Sequence, residues 1–143
     1  MLIIQSIVNI SEVNFYIMSS IIKLRGKGVS RIINSKVMLS PLAGVTDKIF
    51  RKLVRKWAPE SLLFTEMINA TSLKHGYGTQ KIKQLELEKG PIGVQIFDNR
   101  PFAVSEAAKL AEDSGAFLID INMGCPVKKI SRKGGGSALI NDR

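Results

Sequence analysis

Cysteine is nearly absent from this chain. The single one, Cys125, excludes an intrachain disulfide, and a start without the pattern of a secretory leader points to a reducing, cytoplasmic setting. Long apolar runs are missing too. Residues 1–22 are rich in aliphatic side chains, but Gln5, Ser6, Asn9, Ser11, Glu12 and Asn14 interrupt them, short of the roughly 18 unbroken apolar residues of a membrane span. No membrane association is expected, and no metal site. Acidic residues are scarce, 12 against 21 Lys and Arg, and the net charge of +9 suits a polyanionic partner. Yet neither zinc knuckles nor the aromatic motifs of dedicated RNA-binding modules occur, so a nucleic acid would be met by an enzyme's surface. Phosphate-loop and dinucleotide motifs are also lacking: Gly134-Gly135-Gly136 fits neither, and reads as a mobile or anion-binding loop.

What is present is a globular composition, 45% hydrophobic over 143 residues, enough for one domain with a real core. From residue 36 onward, short apolar runs alternate with helical patterns, the mark of βα units and a parallel sheet. Four strands are predicted, at 36–39, 61–66, 92–97 and 117–122. After the first, Thr46 or Asp47 caps a helix that ends near Ala58, since Pro59 disfavours helical geometry before it. Ile49, Phe50, Leu53, Val54 and Trp57 mark its core face, with Lys48, Arg51, Lys52, Arg55 and Lys56 opposite. A weaker helix follows at 69–75, then a polar segment to 89. Asp98 or Asn99 caps the next helix, Pro101 suits its first turn, Ala103, Ala107, Leu110 and Ala111 form its stripe, and Gly115 ends it. Beyond the fourth strand comes a second basic cluster, Lys128, Lys129, Arg132 and Lys133, and a helix start at Ala138. Both basic clusters read either as solvated faces or as phosphate contacts.

Period-two alternation places Ile92, Val94 and Ile96 on one face of the third strand and Gly93, Gln95 and Phe97 on the other. Gln95 is then an amide inside an apolar strand, and an unpaired buried amide costs about 1–3 kcal/mol. Glu66, and Asp120 with Asn122, repeat that pattern, so polar groups converge near one edge of the sheet. Such a cluster suits a ring with hydrogen-bonding edges, a flavin or a nucleobase, because an amide offers a donor and an acceptor together. Gly44 allows a tight turn and close ligand approach. Cys125 falls just past the fourth strand, at the end where parallel α/β folds handle ligands. It reads either as an inert small hydrophobe or as an acid in a redox site.

Three segments in order carry a family resemblance. Ser40-Pro41-Leu42-Ala43-Gly44-Val45-Thr46-Asp47 resembles A-P-M-A-G-V-T-D, Val94-Gln95-Ile96-Phe97 resembles a third-strand motif, and Asp120-Ile121-Asn122-Met123-Gly124-Cys125-Pro126 matches D-I-N-M-G-C-P of the tRNA-dihydrouridine synthases. Lys128-Lys129 and the run from Gly134 to Leu139 continue the match, which covers about 21–143. Ser40 for Ala and Leu42 for Met are conservative departures. The resemblance implies a flavin-dependent TIM (β/α)8 barrel, here its first four βα units, in which Pro41, Leu42 and Ala43 line FMN and Gln95 hydrogen-bonds the flavin ring. It further implies that Asn122 holds the target uracil and that Cys125 is the general acid. The implied reaction reduces the C5=C6 bond of a uridine in tRNA to 5,6-dihydrouridine, with hydride to C6, a proton from Cys125 to C5, and NADPH as reductant. A thiol suits that role, being mostly protonated at neutral pH yet able to release its proton. The base must leave the tRNA stack to reach such a site.

The expected organisation is an N-terminal extension over 1–20, of unknown role, and the N-terminal half of the barrel over 21–143. A closed barrel needs eight strands, so the chain reads as truncated and is expected to be inactive alone. A flavin barrel acting on a free pyrimidine, in the manner of dihydroorotate dehydrogenase, is one alternative. A non-enzymatic remnant, or a half-barrel needing a second chain, is another.

Overall fold

A computed structural model describes residues 17–18, 21–26, 29–33 and 35–141. They form two sheets. The first is antiparallel: β1 (Ile17–Met18), β2 (Ile21–Gly26) and β3 (Val29–Ile33) lie in sequence order, with β2 and β3 closing a hairpin at the Gly26↔Val29 pair. No element was predicted there. Of the expected extension over 1–20, all but residues 17 and 18 lies outside the described residues.

The second sheet is parallel throughout. β4 (Met38–Leu39) pairs with β5 (Leu62–Phe64), β5 and β6 (Ile68–Asn69) follow one another along one side of β7 (Ile92–Phe97), and β8 (Leu118–Ile121) lies along its other side. These are the four predicted barrel strands, with the first, second and fourth trimmed. The second is trimmed because the chain leaves the ladder after Phe64 and returns at Ile68. In the gap, Thr65 keeps its backbone N–H on Gly93 O (2.9 Å) but offers its side-chain Oγ1 to the Gln95 N–H (3.2 Å).

The helices pack on one face of this sheet. α1 (Lys48–Trp57) starts at Asp47, whose carboxylate accepts the Phe50 N–H, and ends at Ala58, both as expected. α2 (Ala70–Lys74) is capped by Asn69. The polar segment to 89, for which no element was predicted, is helical, as α3 (Thr79–Lys83) and a 3-10 turn (Gln84–Leu87), because Ile82 and Leu85 reach the core. α4 (Pro101–Asp113) has Pro101 at its first turn and Gly115 at φ 88° beyond its end. Its N-cap position is Arg100, not Asp98 or Asn99. Asp98 instead fixes the chain just before the helix, accepting the N–H groups of Asn99 (2.9 Å) and Arg100 (3.2 Å). Its other oxygen takes the Thr71 N–H (2.9 Å) and hydroxyl (2.6 Å), which ties α2 to α4. α5 (Lys128–Ser131) and a 3-10 turn (Gly136–Asn141) finish the described chain; the turn begins two residues before the expected helix start at Ala138.

Alternation along the strands sorts the apolar side chains into two cores. Leu63, Ile92, Val94 and Ile96 face the helices with Leu73, Ile82, Ala107 and Ala111. Each large side chain so buried contributes about 1.5–3 kcal/mol. Leu62 and Phe64, of opposite parity, face the other way and pack with Ile33 of β3, Phe117 and Leu118. Gly93 makes this second face possible, since a Cβ there would lie 2.4 Å from the Phe64 ring.

α1 corrects the sequence reading. Ile49 and Trp57 of its expected core face are 78% and 85% exposed, and only Val54 packs against the core cluster. Arg51, expected on the solvated side, is buried.

Candidate functional site

Of the polar groups predicted to converge, Gln95, Asp120 and Asn122 meet, on the face of the sheet that carries Phe64 and Leu118, while Glu66 does not join them and pairs with Gly44 and Lys81 instead. In register, Phe64 stands beside Gly93, Gly93 beside Leu118 and Gln95 beside Asp120. That face is therefore apolar at its amino end and polar at its carboxyl end. Gln95, only 8% exposed, donates from Nε2 to Asp120 Oδ2 (2.6 Å) and accepts on Oε1 from Asn122 Nδ2 (3.0 Å). Asn122 Oδ1 in turn accepts the backbone N–H groups of Gly124 (3.2 Å) and Cys125 (2.9 Å). Three of the predicted site residues, Gln95, Asn122 and Cys125, thus form one connected chain, and half-buried Cys125 sits at its end. Asp120 was read only as part of a polar pattern, because nothing local in the sequence pairs it with residue 95. Burial pushes its carboxyl above the ordinary aspartate value, and the Gln95 hydrogen bond opposes that in part.

The glycine run corrects another expectation. Gly136 packs on the cysteine loop, where a Cβ would lie 2.6 Å from Cys125 O and 3.1 Å from Cys125 Cβ, and the Ser137 N–H donates to Cys125 O (3.0 Å). Gly134 and Gly135 are packed against Asn99 and Ile130. The segment is a clamp on the cysteine loop, not an open anion nest.

Pro41, Leu42 and Ala43 form the turn past the carboxyl end of β4. Buried Thr46 holds it from below: its Oγ1 accepts the Leu42 N–H (3.0 Å) and donates to Leu42 O (3.1 Å). Leu42 and Ala43 are exposed there, and Pro41 is half-buried. Gly44 adopts φ 76° with nothing crowding it, so the turn itself requires the glycine. Its N–H donates to Glu66 Oε1 (2.7 Å), and Glu66 Oε2 accepts from Lys81 (2.8 Å). Those two bonds, Lys81 first, hold the Glu66 carboxyl below its ordinary value against burial. Lys81 lies in the polar segment for which no element was predicted, so its part was missed.

The two basic clusters separate. Arg51 pairs with Glu88 through both Nε (3.0 Å) and Nη2, and donates from Nη1 to Thr46 O (2.7 Å). Arg55 donates to the carbonyls of Pro59 (2.8 Å), Ser61 (2.6 Å) and Pro91 (2.9 Å), just before β5 and β7. Both are internal struts. A cavity of about 240 Å³ bounded by Arg51, Lys52, Arg55, Leu87, Glu88 and Lys89 contains none of the predicted site residues. Lys128, Lys129, Arg132 and Lys133 are exposed on and beside α5, directly after the cysteine loop.

A flavin was implied, and the donor set fits one. An amide has two N–H donors and two lone pairs, and Asp120 and Asn122 occupy one of each on Gln95. One donor and one acceptor of Gln95 remain, the two kinds of group that an imide edge engages. Among the described residues no group of three His, Cys, Asp or Glu could hold a metal ion, and no helix is long and apolar enough to cross a membrane.

Comparison with known proteins gives the same direction. Residues 38–143 match the family model described as Dihydrouridine synthase (Dus). The "Probable tRNA-dihydrouridine synthase 1" of Synechocystis sp. is 48% identical over 111 residues, 78% of this chain and 31% of that protein. The "tRNA-dihydrouridine synthase B" of Xanthomonas campestris is 44% identical over 110 residues, covering 75% and 32%. The "Probable tRNA-dihydrouridine synthase" of Rickettsia bellii is 38% identical over 112 residues, covering 77% and 34%. The chain thus spans about a third of the length of these relatives. The fold is that of the family's TIM barrel, present as an unclosed parallel arc. With its cysteine loop, glycine clamp and parallel sheet all falling inside the matched residues, this chain belongs to the dihydrouridine synthase family.

Proposed function

We propose that this chain supplies the proton-donor side of a site that reduces the C5=C6 bond of a uridine in tRNA. The observation that carries the reading is the connected chain from Gln95 through Asn122 to the Cys125 backbone, at the carboxyl end of the sheet. FMN, when bound and reduced by NADPH, supplies the hydride for C6. Gln95 would hold the imide edge of the ring with its spare donor and acceptor, and Pro41, Leu42 and Ala43 would line it. Asn122 has one N–H engaged by Gln95 and a second facing Met67 Sδ at 3.9 Å, a weak interaction that a uracil carbonyl displaces readily. Cys125 gives its proton to C5, and the clamp by Gly136 and Ser137 fixes where the thiol can point. The exposed cations around α5 meet the tRNA phosphates, which makes affinity strongly salt-dependent. Four strands make only half a barrel floor, so turnover requires further strands, from the same polypeptide or a second chain.

The test is to titrate the chain with FMN by fluorescence quenching. Dihydrouridine formation is then assayed with NADPH on tRNA from a strain lacking the modification, with the chain alone and within an assembly of full barrel length. FMN binding by the chain, turnover in the assembly, and loss of turnover with flavin retained in Cys125→Ala support the reading. Full turnover in Cys125→Ala overturns the acid assignment, and no FMN binding in either form overturns the flavin site.

A further inference from the structure

The cysteine loop is held by hydrogen bonds that start from a residue to which no role has been assigned. Backbone N–H groups can only donate, so those of Gly124 and Cys125 fix Asn122 with Oδ1 toward them and Nδ2 toward Gln95. Gln95 must then turn Oε1 to Asn122 and Nε2 to whatever lies beyond. What lies beyond is Asp120, with a side-chain oxygen 2.6 Å away. An aliphatic residue at that place would leave the Gln95 amide without its far partner and free to flip, which would set two N–H groups face to face at Asn122. A lysine would oppose donor to donor. The acceptor at 120 therefore matches the polarity that the backbone demands at the other end.

We propose that Asp120 is a positioning residue: by accepting from Gln95 it locks the orientation of both site amides and, through Asn122, the backbone that carries Cys125. The inference rests on the reading of Gln95, Asn122 and Cys125 as the reactive constellation, but the relay itself can be tested without flavin, tRNA or turnover. Asp120 touches neither ring nor thiol; it acts two and three groups away. Asp120 stands in register with buried Gln95 on the sheet face that carries Phe64 and Leu118, which agrees with a group kept for polarity, since packing alone would favour an apolar side chain there.

The experiment uses the 143-residue chain itself. Side-chain amide signals of Gln95 and Asn122 are followed by 15N NMR, and Cys125 reactivity is followed with a chromogenic disulfide. Asp120→Leu should move both amide pairs toward free-amide positions and speed thiol modification about fivefold to tenfold, the scale of one lost hydrogen bond. Asp120→Asn, which can still present an oxygen, should restore both readouts toward the wild-type values. Gln95→Leu breaks the same relay in its middle, so its effect on the thiol should equal that of Asp120→Leu, and the double variant should add nothing further. Folded Asp120→Leu protein with wild-type thiol rate and an unmoved Asn122 amide overturns the proposal, as do additive effects in the double variant. If Asp120→Leu does not fold, Asp120→Asn and Gln95→Leu decide: the proposal requires the first to keep the thiol rate and the second to raise it. Failure of FMN to bind, with the relay intact, would count against the flavin reading alone.

Discussion

Two aspartates, buried Asp98 and half-buried Asp120, illustrate how opposite environments give opposite pH behaviour. Burial alone would raise the Asp98 carboxyl, but hydrogen bonds from the side chains and backbones of Thr71 and Arg100 outweigh it and hold the group below its ordinary value. Its folded pKa is therefore the lower one. The stability it contributes is complete above about pH 4, the unfolded aspartate value, and disappears as pH falls through the folded value. Asp120 is raised by burial, with only Gln95 opposing, so its favourable contribution is complete below about pH 4 and fades as pH rises through its folded value. At neutral pH, Asp98→Asn should cost about 1–3 kcal/mol in urea unfolding, because acceptors for Thr71 and Arg100 are lost. Asp120→Asn should cost nothing or stabilise. The Asp98→Asn deficit should shrink when the titration is repeated below pH 4, and a deficit that stays constant would contradict the sign. Sequence made Asp98 visible only as a possible cap. Its bonds to Thr71 bridge 27 residues, and no local pattern reports a partner that distant.

At the level of elements, the positions of α1, α2 and α4 were legible, those of α3 and α5 were not, and the orientation of α1 was misread. Asp47, Asn69, Pro101 and Gly115 act locally, through a cap, a fixed φ or a left-handed turn, and each did what its residue type favours. The periodicity of α1 led to the wrong face because it assumes that charge goes outward. Arg51 instead finds Glu88, whose side chain is 4% exposed, and Arg55 finds three carbonyls at the amino ends of two strands. A planar guanidinium with five donors can make such internal struts where a lysine could not. Removing Arg51 leaves Glu88 as an unpaired buried charge, so Arg51→Met should lower stability by about 3–5 kcal/mol in chemical unfolding. Reversing exposed Lys128 and Lys129 should leave stability within about 0.5 kcal/mol. Under the proposed function their effect is on tRNA: if they neutralise phosphates, affinity falls in the reversed variant, and the slope of log affinity against log salt drops by about 1 for each phosphate no longer neutralised. A Lys128→Glu/Lys129→Glu variant with an unchanged salt slope would place the polyanion surface elsewhere.

At the scale of the whole molecule, parallel sheets are stable when both faces and both edges are covered. Here the helix side is closed, while the opposite face holds only the small cluster around Phe64 that Ile33 of β3 helps to cover. β4 and β8 stand at the ends of an arc of barrel strands, and β4 pairs on one side, with β5. Next to that end, Ile49, Leu53 and Trp57 recur every four residues along α1 and are 78%, 52% and 85% exposed. Residues four apart fall on one helix face, so these three make a continuous apolar stripe rather than scattered surface hydrophobes. Sequence periodicity recorded the stripe but assigned it to the core, whereas among the described residues it is exposed. A stripe of this kind drives self-association but contributes little to the fold that carries it. Leu53→Glu/Trp57→Glu should therefore reduce light scattering and shift sedimentation toward the monomer, while the unfolding free energy stays within about 0.5 kcal/mol of wild type. If instead the double variant loses several kcal/mol, the stripe is packed in solution, and α1 is held from its outer side as well as by Arg51 and Arg55.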